Sequence, residues 1–339
     1  MLQLLLGGSG SGKTTLLYQR IRARAEKGEK SILLVPEQFT SSTEGRIYRE
    51  LGDALSGMVE SFSFTSLAEK ILSTEGGAAV QTLSDAGRAV LVRRALEELQ
   101  DNVHYYHRHR RSAAFCQMAA QTIDELKSAG LSGQQLAQLA GACGAESGKL
   151  SELALIFQGY ETLLARSGMD PSDRLELAGA RLEEALARHS LPEFLRDRAV
   201  FIDEFDTFNA PKKRLLGAML AALPSVTVAL CDDGAPLLPG DLSLFSGAKQ
   251  VAAQLRQLAR KNGAEVAVPQ LLRKDLRHRN APGLAAVAEL LETGSCTADA
   301  PAGEVRLFAA PSREEEARAA AGAIRRLMRQ GVRCGKIAV

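Results

Sequence analysis

Two rhythms of apolar and polar positions run along this chain. In the first, short and nearly continuous apolar runs, Leu2–Leu6 and Ser31–Pro36, are closed by glycine or proline. Such runs fit strands buried on both faces of a parallel sheet. Met58–Phe62, Arg198–Asp203, Ser225–Cys231 and Glu265–Val268 repeat the pattern. Between them, three- and four-residue spacing predicts helices ending near Ala25 and over Thr43–Leu55, Ser66–Leu72, Pro211–Ala222 and Gly247–Asn262. The second rhythm fills residues 84–191, where helical spacing stands alone over Asp85–Leu99, Ser112–Ser128, Ser132–Leu139, Glu152–Arg166 and Asp173–Arg188.

Strands alternating with helices predict an α/β class, a parallel sheet with helices on both faces. The helical stretch reads as an insertion that splits the sheet in sequence. Expected domains are therefore 1–82 (first part of the sheet domain), 83–192 (helical insertion), 193–302 (second part) and 303–339. In the last, Glu304–Phe308 and Lys336–Val339 look like strands flanking a helix at Arg313–Arg329, the opening of a second α/β domain cut short.

Composition adds exclusions. Hydrophobic content of 45% and charged content of 24% are ordinary for a soluble globular protein. No apolar run approaches the ~18 residues that cross a bilayer, and no signal peptide is visible. The chain is expected to be cytoplasmic, with no membrane partner. Cys116, Cys143, Cys231, Cys296 and Cys334 form no C-x-x-C pair, which argues against a metal or disulfide framework here and for reduced, mostly buried thiols. A net charge of +2 does not by itself announce a nucleic-acid binder.

The sharpest chemistry follows the first apolar run. Gly7-Gly8-Ser9-Gly10-Ser11-Gly12-Lys13-Thr14, with Thr15 after it, fits the phosphate-binding loop G-x-x-x-x-G-K-[ST]. In such a loop, backbone N–H groups turn inward at phosphate oxygens, and the following helix adds its positive end. Lys13 is expected to neutralise the outer phosphates of ATP, and the Thr14 hydroxyl to hold Mg²⁺. A hydrolase also needs a carboxylate for the metal and a group to position water. Val200-Phe201-Ile202-Asp203-Glu204 supplies both, with Asp203 toward Mg²⁺ and Glu204 toward water. The bland reading is an acidic strand end in solvent.

Together, this loop, the helical insertion and the later Asp-Glu strand resemble the first motor domain of superfamily 1 helicases. More closely, Leu5–Thr14, Leu34-Val35-Pro36-Glu37-Gln38-Phe39-Thr40 and Val200–Phe208 resemble the AddB family, B subunits of bacterial helicase–nucleases. That resemblance implies a RecA-like sheet and an AddA partner. It also implies single- and double-stranded DNA as ligands and a role in double-strand-break repair by homologous recombination. The family's nuclease and its iron–sulfur cluster are expected only in a C-terminal region that this chain lacks. By the same resemblance, Gln38, Thr40, Phe62, Ser63 and Thr65 would face single-stranded DNA, as phosphate donors or, for Phe62, by stacking. An arginine of the Leu276-Arg277-His278-Arg279-Asn280 segment, Arg279 or Arg277, would reach the γ-phosphate; a solvated basic turn is the plain alternative.

The chain departs from a working motor. Asp206 stands where helicases carry a glutamine, and Cys231-Asp232-Asp233-Gly234 keeps an aspartate but lacks the next one. ATP binding with weak or no translocation is therefore expected, the chain serving recognition more than pulling. A stand-alone phosphate-loop kinase or NTPase acting on a small molecule is the alternative. One further run, His104-Tyr105-Tyr106-His107-Arg108-His109-Arg110-Arg111, reads either as a nucleic-acid-facing patch or as a solvated helix end.

Overall fold

In the computed structural model, described over residues 1–77, 79, 81–144, 147–295 and 304–339, six strands form one sheet. They are β1 (Leu2–Gly7), β2 (Ser31–Leu34), β3 (Val59–Phe62), β4 (Ala199–Ile202), β5 (Ser225–Cys231) and β6 (Gln270–Leu272). Their order is β3-β2-β4-β5-β1-β6, and every pairing is parallel. The expected strand at Glu265–Val268 forms only an isolated bridge, Val266 to Leu2. Pro269 has no N–H to donate, and the ladder restarts beyond it at Gln270.

Successive side chains of a strand point to opposite faces, so one apolar run feeds two cores. On one face Leu4, Leu6, Ile32, Leu34, Val200, Ile202, Val226 and Val228 belong to a buried cluster. Completing it are α4 (Phe64–Glu75), α9 (Pro171–Ala187), α10 (Ala210–Ala222) and α11 (Ser246–Lys261). On the other face Leu5, Leu33, Phe201 and Ala229 meet α1 (Lys13–Ala25) and α2 (Thr40–Leu51). Fully burying one such leucine is worth roughly 1.5–3 kcal/mol. The expected helix at Thr43–Leu55 divides into α2 and the single turn α3 (Asp53–Ser56) at Gly52, whose φ of 76° leaves the helical region.

Four helices of the insertion build a separate core. They are α5 (Asp85–Glu98), α6 (Ala113–Ser128), α7 (Gly133–Ala140) and α8 (Ser147–Ser167), centred on Leu96, Ile123, Phe157 and Tyr160. Ser84, Ser112 and Ser132 cap α5, α6 and α7 by accepting a backbone N–H. The fifth helix, α9, lies within the sheet's own cluster through Leu175, Ala178 and Leu182. A buried polar knot ties these layers together. Lys127 of α6 donates to Asp170 at 2.8 Å and to Asp173 at 2.7 Å, and the Tyr160 hydroxyl donates to Asp170 at 2.6 Å. Asp170 is 1% exposed.

By compactness the chain divides into residues 1–277 and 278–339, so 278–302 groups with the C-terminal residues and the insertion stays in the first unit. The second unit contains α12 (Pro282–Thr293) and α13 (Arg313–Arg329). Neither Glu304–Phe308 nor Lys336–Val339 is a strand, and Cys334–Lys336 is a single 3-10 turn. An extended segment gains ladder hydrogen bonds only from a neighbour, and among the described residues these have none. Cys116 is buried and Cys231 half-buried, but Cys143 and Cys334 are exposed, against the expectation of mostly buried thiols; Cys296 lies outside the described residues. No described helix is long and apolar enough to cross a membrane.

Asp170→Ala leaves the Tyr160 hydroxyl without its acceptor and strips one of the two carboxylates from Lys127. Equilibrium urea unfolding should show a loss of about 3 kcal/mol, the scale for breaking a buried pair. A loss below about 1 kcal/mol, the worth of an exposed pair, would contradict the knot.

Candidate nucleotide site

The site begins where β1 turns into α1. Gly10 has φ 79°, and a Cβ there would lie 2.5 Å from that of Arg277, so both conformation and space demand glycine. Gly12, at φ 91°, precedes the first turn of α1, which carries no acidic side chain to oppose its positive end. Lys13 Nζ donates to the carbonyls of Gly7 and Gly8, both at 2.8 Å. Among the described residues the buried Ser11 hydroxyl has no hydrogen-bond partner. Ser9, Gly10, Gly12, Lys13, Thr14 and Thr15 line a cavity of about 500 Å³.

Across that cavity stands the acidic tip of β4. The Asp203 N–H donates to the Leu34 carbonyl at 3.1 Å, which continues the β2–β4 pairing and fixes the residue at the sheet's carboxyl end. Its carboxylate is buried and accepts the Glu204 N–H at 3.0 Å. Burial pushes the Asp203 carboxyl above its ordinary range, while the Thr14 hydroxyl, Arg46 and Lys13 pull it back. Thr14 and Asp203, 189 positions apart, therefore line the same cavity. Glu204 has φ 65°, a left-handed conformation rare for a side chain of its size. Its carboxyl is also raised, by burial first and by Asp203 second. Strain and like charges gathered at one strand end are typical of functional positions.

This donor set fits Mg²⁺ and a polyphosphate. Thr14 and Asp203 offer hard oxygens. Lys13 holds only neutral carbonyls, which an anion outcompetes for an ammonium. Among the described residues there is no cluster of three or more His, Cys, Asp or Glu that would hold a metal by protein ligands alone. A magnesium here would complete its shell with water and phosphate oxygens.

Of the two candidate arginines, Arg277 lines the cavity and donates to the Ser9 hydroxyl at 3.0 Å. Arg279 lies in the second unit. The Leu276 N–H donates to the Gly10 carbonyl at 3.0 Å, strapping this segment to the loop. Asp232, at the end of β5, turns the chain by accepting the Gly234 N–H at 2.7 Å.

The residues expected to meet DNA fall into two groups. Gln38 and Thr65 are exposed, and Thr40 is half-buried with its hydroxyl on the Glu37 carbonyl at 2.8 Å. Ser63 is buried and caps α4, its hydroxyl accepting the Ser66 N–H at 3.1 Å. Phe62 packs on the sheet core with its ring centroid 6.5 Å from that of Phe194.

Sequence reading missed Arg46. It lines the main cavity and an adjoining one of about 220 Å³, and both cavities also include Thr14, Asp203 and Glu204. Its guanidinium lies 4.9 Å from the Tyr18 ring centroid and attracts both acidic carboxylates. Burial pushes the Tyr18 phenol up to about 12, partly countered by Arg46. The available signal was helical: Arg46 sits three residues after buried Thr43 and one before buried Ile47, on the flank of the inward face of α2.

The family model described as "ADDB, N-terminal" matches residues 4–288. A protein of Desulforudis audaxviator, named as the B subunit of an ATP-dependent helicase/deoxyribonuclease, is 34% identical over 97% of this chain and 29% of its own length. Proteins of the same name from Symbiobacterium thermophilum and Moorella thermoacetica are 32% and 33% identical, over 100% and 97% of this chain. The chain spans 29–30% of the length of these three relatives.

The raised carboxyl of Asp203 predicts a trade of stability for charge. An acid whose folded pKa exceeds its unfolded value binds more protons when folded, so stability falls as pH rises through that interval. Asp203→Asn keeps the acceptor oxygen and removes the charge. Its ligand-free thermal midpoint should exceed that of the wild type at neutral pH, and the gain should vanish in acid, where the wild-type carboxyl is protonated. A lower midpoint at neutral pH would contradict the burial argument.

Proposed function

The chain belongs to the AddB N-terminal family, and from that premise we propose that it is the helicase-like, ATP-binding region of the B polypeptide of a helicase/deoxyribonuclease. One observation carries the reading: the Thr14 hydroxyl and the Asp203 carboxylate converge on a cavity roofed by a glycine loop. The strand order supports a RecA-like motor fold, since β5 lies between the loop strand β1 and the acidic strand β4. The match along nearly the whole chain to relatives of that name leaves a free-standing small-molecule kinase without support.

In this reading the amides of Ser9–Thr14 wrap the phosphates of ATP. Lys13 exchanges the Gly7 and Gly8 carbonyls for outer phosphate oxygens. Thr14 and Asp203 hold Mg²⁺, which supplies charge neutralisation on the phosphates when bound. Glu204 orients a water, and Arg277 approaches from the strap. Gln38, Thr40 and Thr65 offer polar contacts to single-stranded DNA near the carboxyl end of the sheet. Asp206, in place of a glutamine, is exposed at the site's rim and weakens the link between phosphate and DNA that a motor requires. The region then serves recognition, alongside an AddA motor, in double-strand-break repair. The nuclease and its iron–sulfur cluster belong to the remaining length of the relatives.

Lys13→Ala should weaken ATP binding about 10–100-fold by calorimetry, the worth of about 1.5–3 kcal/mol for a charged hydrogen bond, while the melting curve stays unchanged. Equal affinity in wild type and variant would refute the assignment. Wild-type hydrolysis should be slow and stimulated little by single-stranded DNA. Rapid, strongly DNA-dependent turnover would contradict the recognition role.

A further inference from the structure

The insertion carries a cationic knuckle, residues 101–112, that the nucleotide site does not use. It holds three arginines and three of the chain's five histidines, against one acid, Asp101. Arg108 and Arg111 are exposed and Arg110 is half-buried, and among the described residues none of the three forms an ion pair.

The knuckle is built rather than loose. Glu152 of α8 accepts three successive backbone N–H groups, from His104 at 2.8 Å, Tyr105 at 2.7 Å and Tyr106 at 3.1 Å. Val103 is 1% exposed and anchors the segment in the insertion core. The Tyr106 ring packs with its centroid 5.2 Å from that of Phe115, at the start of α6, while Tyr105 stays 61% exposed. The clamp fixes the backbone of residues 104–106, and the three arginines follow directly after it. Exposed guanidinium groups with no acidic partner among the described residues attract a polyanion.

We propose that this knuckle is a second DNA contact, reading the sugar–phosphate backbone without sequence preference. Arg108, Arg110 and Arg111 meet phosphates, and Tyr105 offers a ring to a neighbouring sugar or base. The inference rests on the reading that this region meets DNA. It adds a site on the insertion to the contacts expected at Gln38, Thr40 and Thr65. Glu152 is a positioning residue: it fixes the backbone and touches no DNA.

The test is fluorescence anisotropy with labelled single-stranded and duplex oligonucleotides across a salt series. Replacing Arg108→Gln, Arg110→Gln and Arg111→Gln together should weaken binding about tenfold or more, and flatten the log–log salt slope by about two to three. The melting temperature should not change. A loss confined to one oligonucleotide supports the contact and identifies which form the knuckle holds. Glu152→Ala removes a negative charge yet should also weaken binding, because the clamp is lost; equal or tighter binding would overturn its role. If the wild type binds DNA and the triple variant binds with the same affinity and slope, the knuckle is not a contact. If the wild type binds neither oligonucleotide, the DNA reading itself fails, and this inference with it.

Discussion

The first turn of α1, led there by β1, and the end of β4, one strand away in a parallel sheet, bring a hydroxyl and a carboxylate to the same cavity, and the rest of the site depends on that spacing. Parallel neighbours lie about 4.8 Å apart, so β1 and β4 are about 10 Å from each other across β5. That gap suits a phosphate chain with a hydrated cation. The register enforces it, because β5 pairs Leu2–Gly7 on one side and Ala199–Ile202 on the other. The apolar residues of these strands, packed against helices on both faces, make the alignment rigid.

Electrostatics at that meeting point are unfavourable without a ligand. Asp203 is buried and Glu204 adds a second carboxylate beside it in a rare backbone conformation. Arg46, Lys13 and Arg277 are the cations that ease this charge. Charge so placed lowers the stability of the fold at neutral pH. Arg46 also sits on the helix that follows the Glu37–Phe39 turn, where Gln38 is exposed.

Much of this was legible in the chain. The strand and helix on either side of Gly7–Thr14 and the strand run ending at Asp203 are local patterns, and β1, α1 and β4 lie there. The two-faced core followed from strands too apolar to alternate. What stayed hidden depends on partners far away. Arg46 carries no motif, and its role arises only because α2 packs beside β4's acidic tip. Ser63 looked like a phosphate donor but caps α4, a role signalled only by Ser66 three residues on. β6 begins after Pro269 because the ladder with β1 decides it, and apolar content alone pointed to Glu265–Val268. The segments Glu304–Phe308 and Lys336–Val339 have strand-like composition, yet composition supplies no neighbour.

The most direct measurement is ATP affinity against Mg²⁺ concentration, by calorimetry, for the wild type and Asp203→Asn. If Thr14 and Asp203 share one magnesium, the wild type binds ATP more tightly as Mg²⁺ rises, and Asp203→Asn loses most of that gain while its magnesium-free affinity is kept. Identical magnesium enhancement in both proteins would show that the carboxylate lies outside the nucleotide's metal shell, and the central claim would fall.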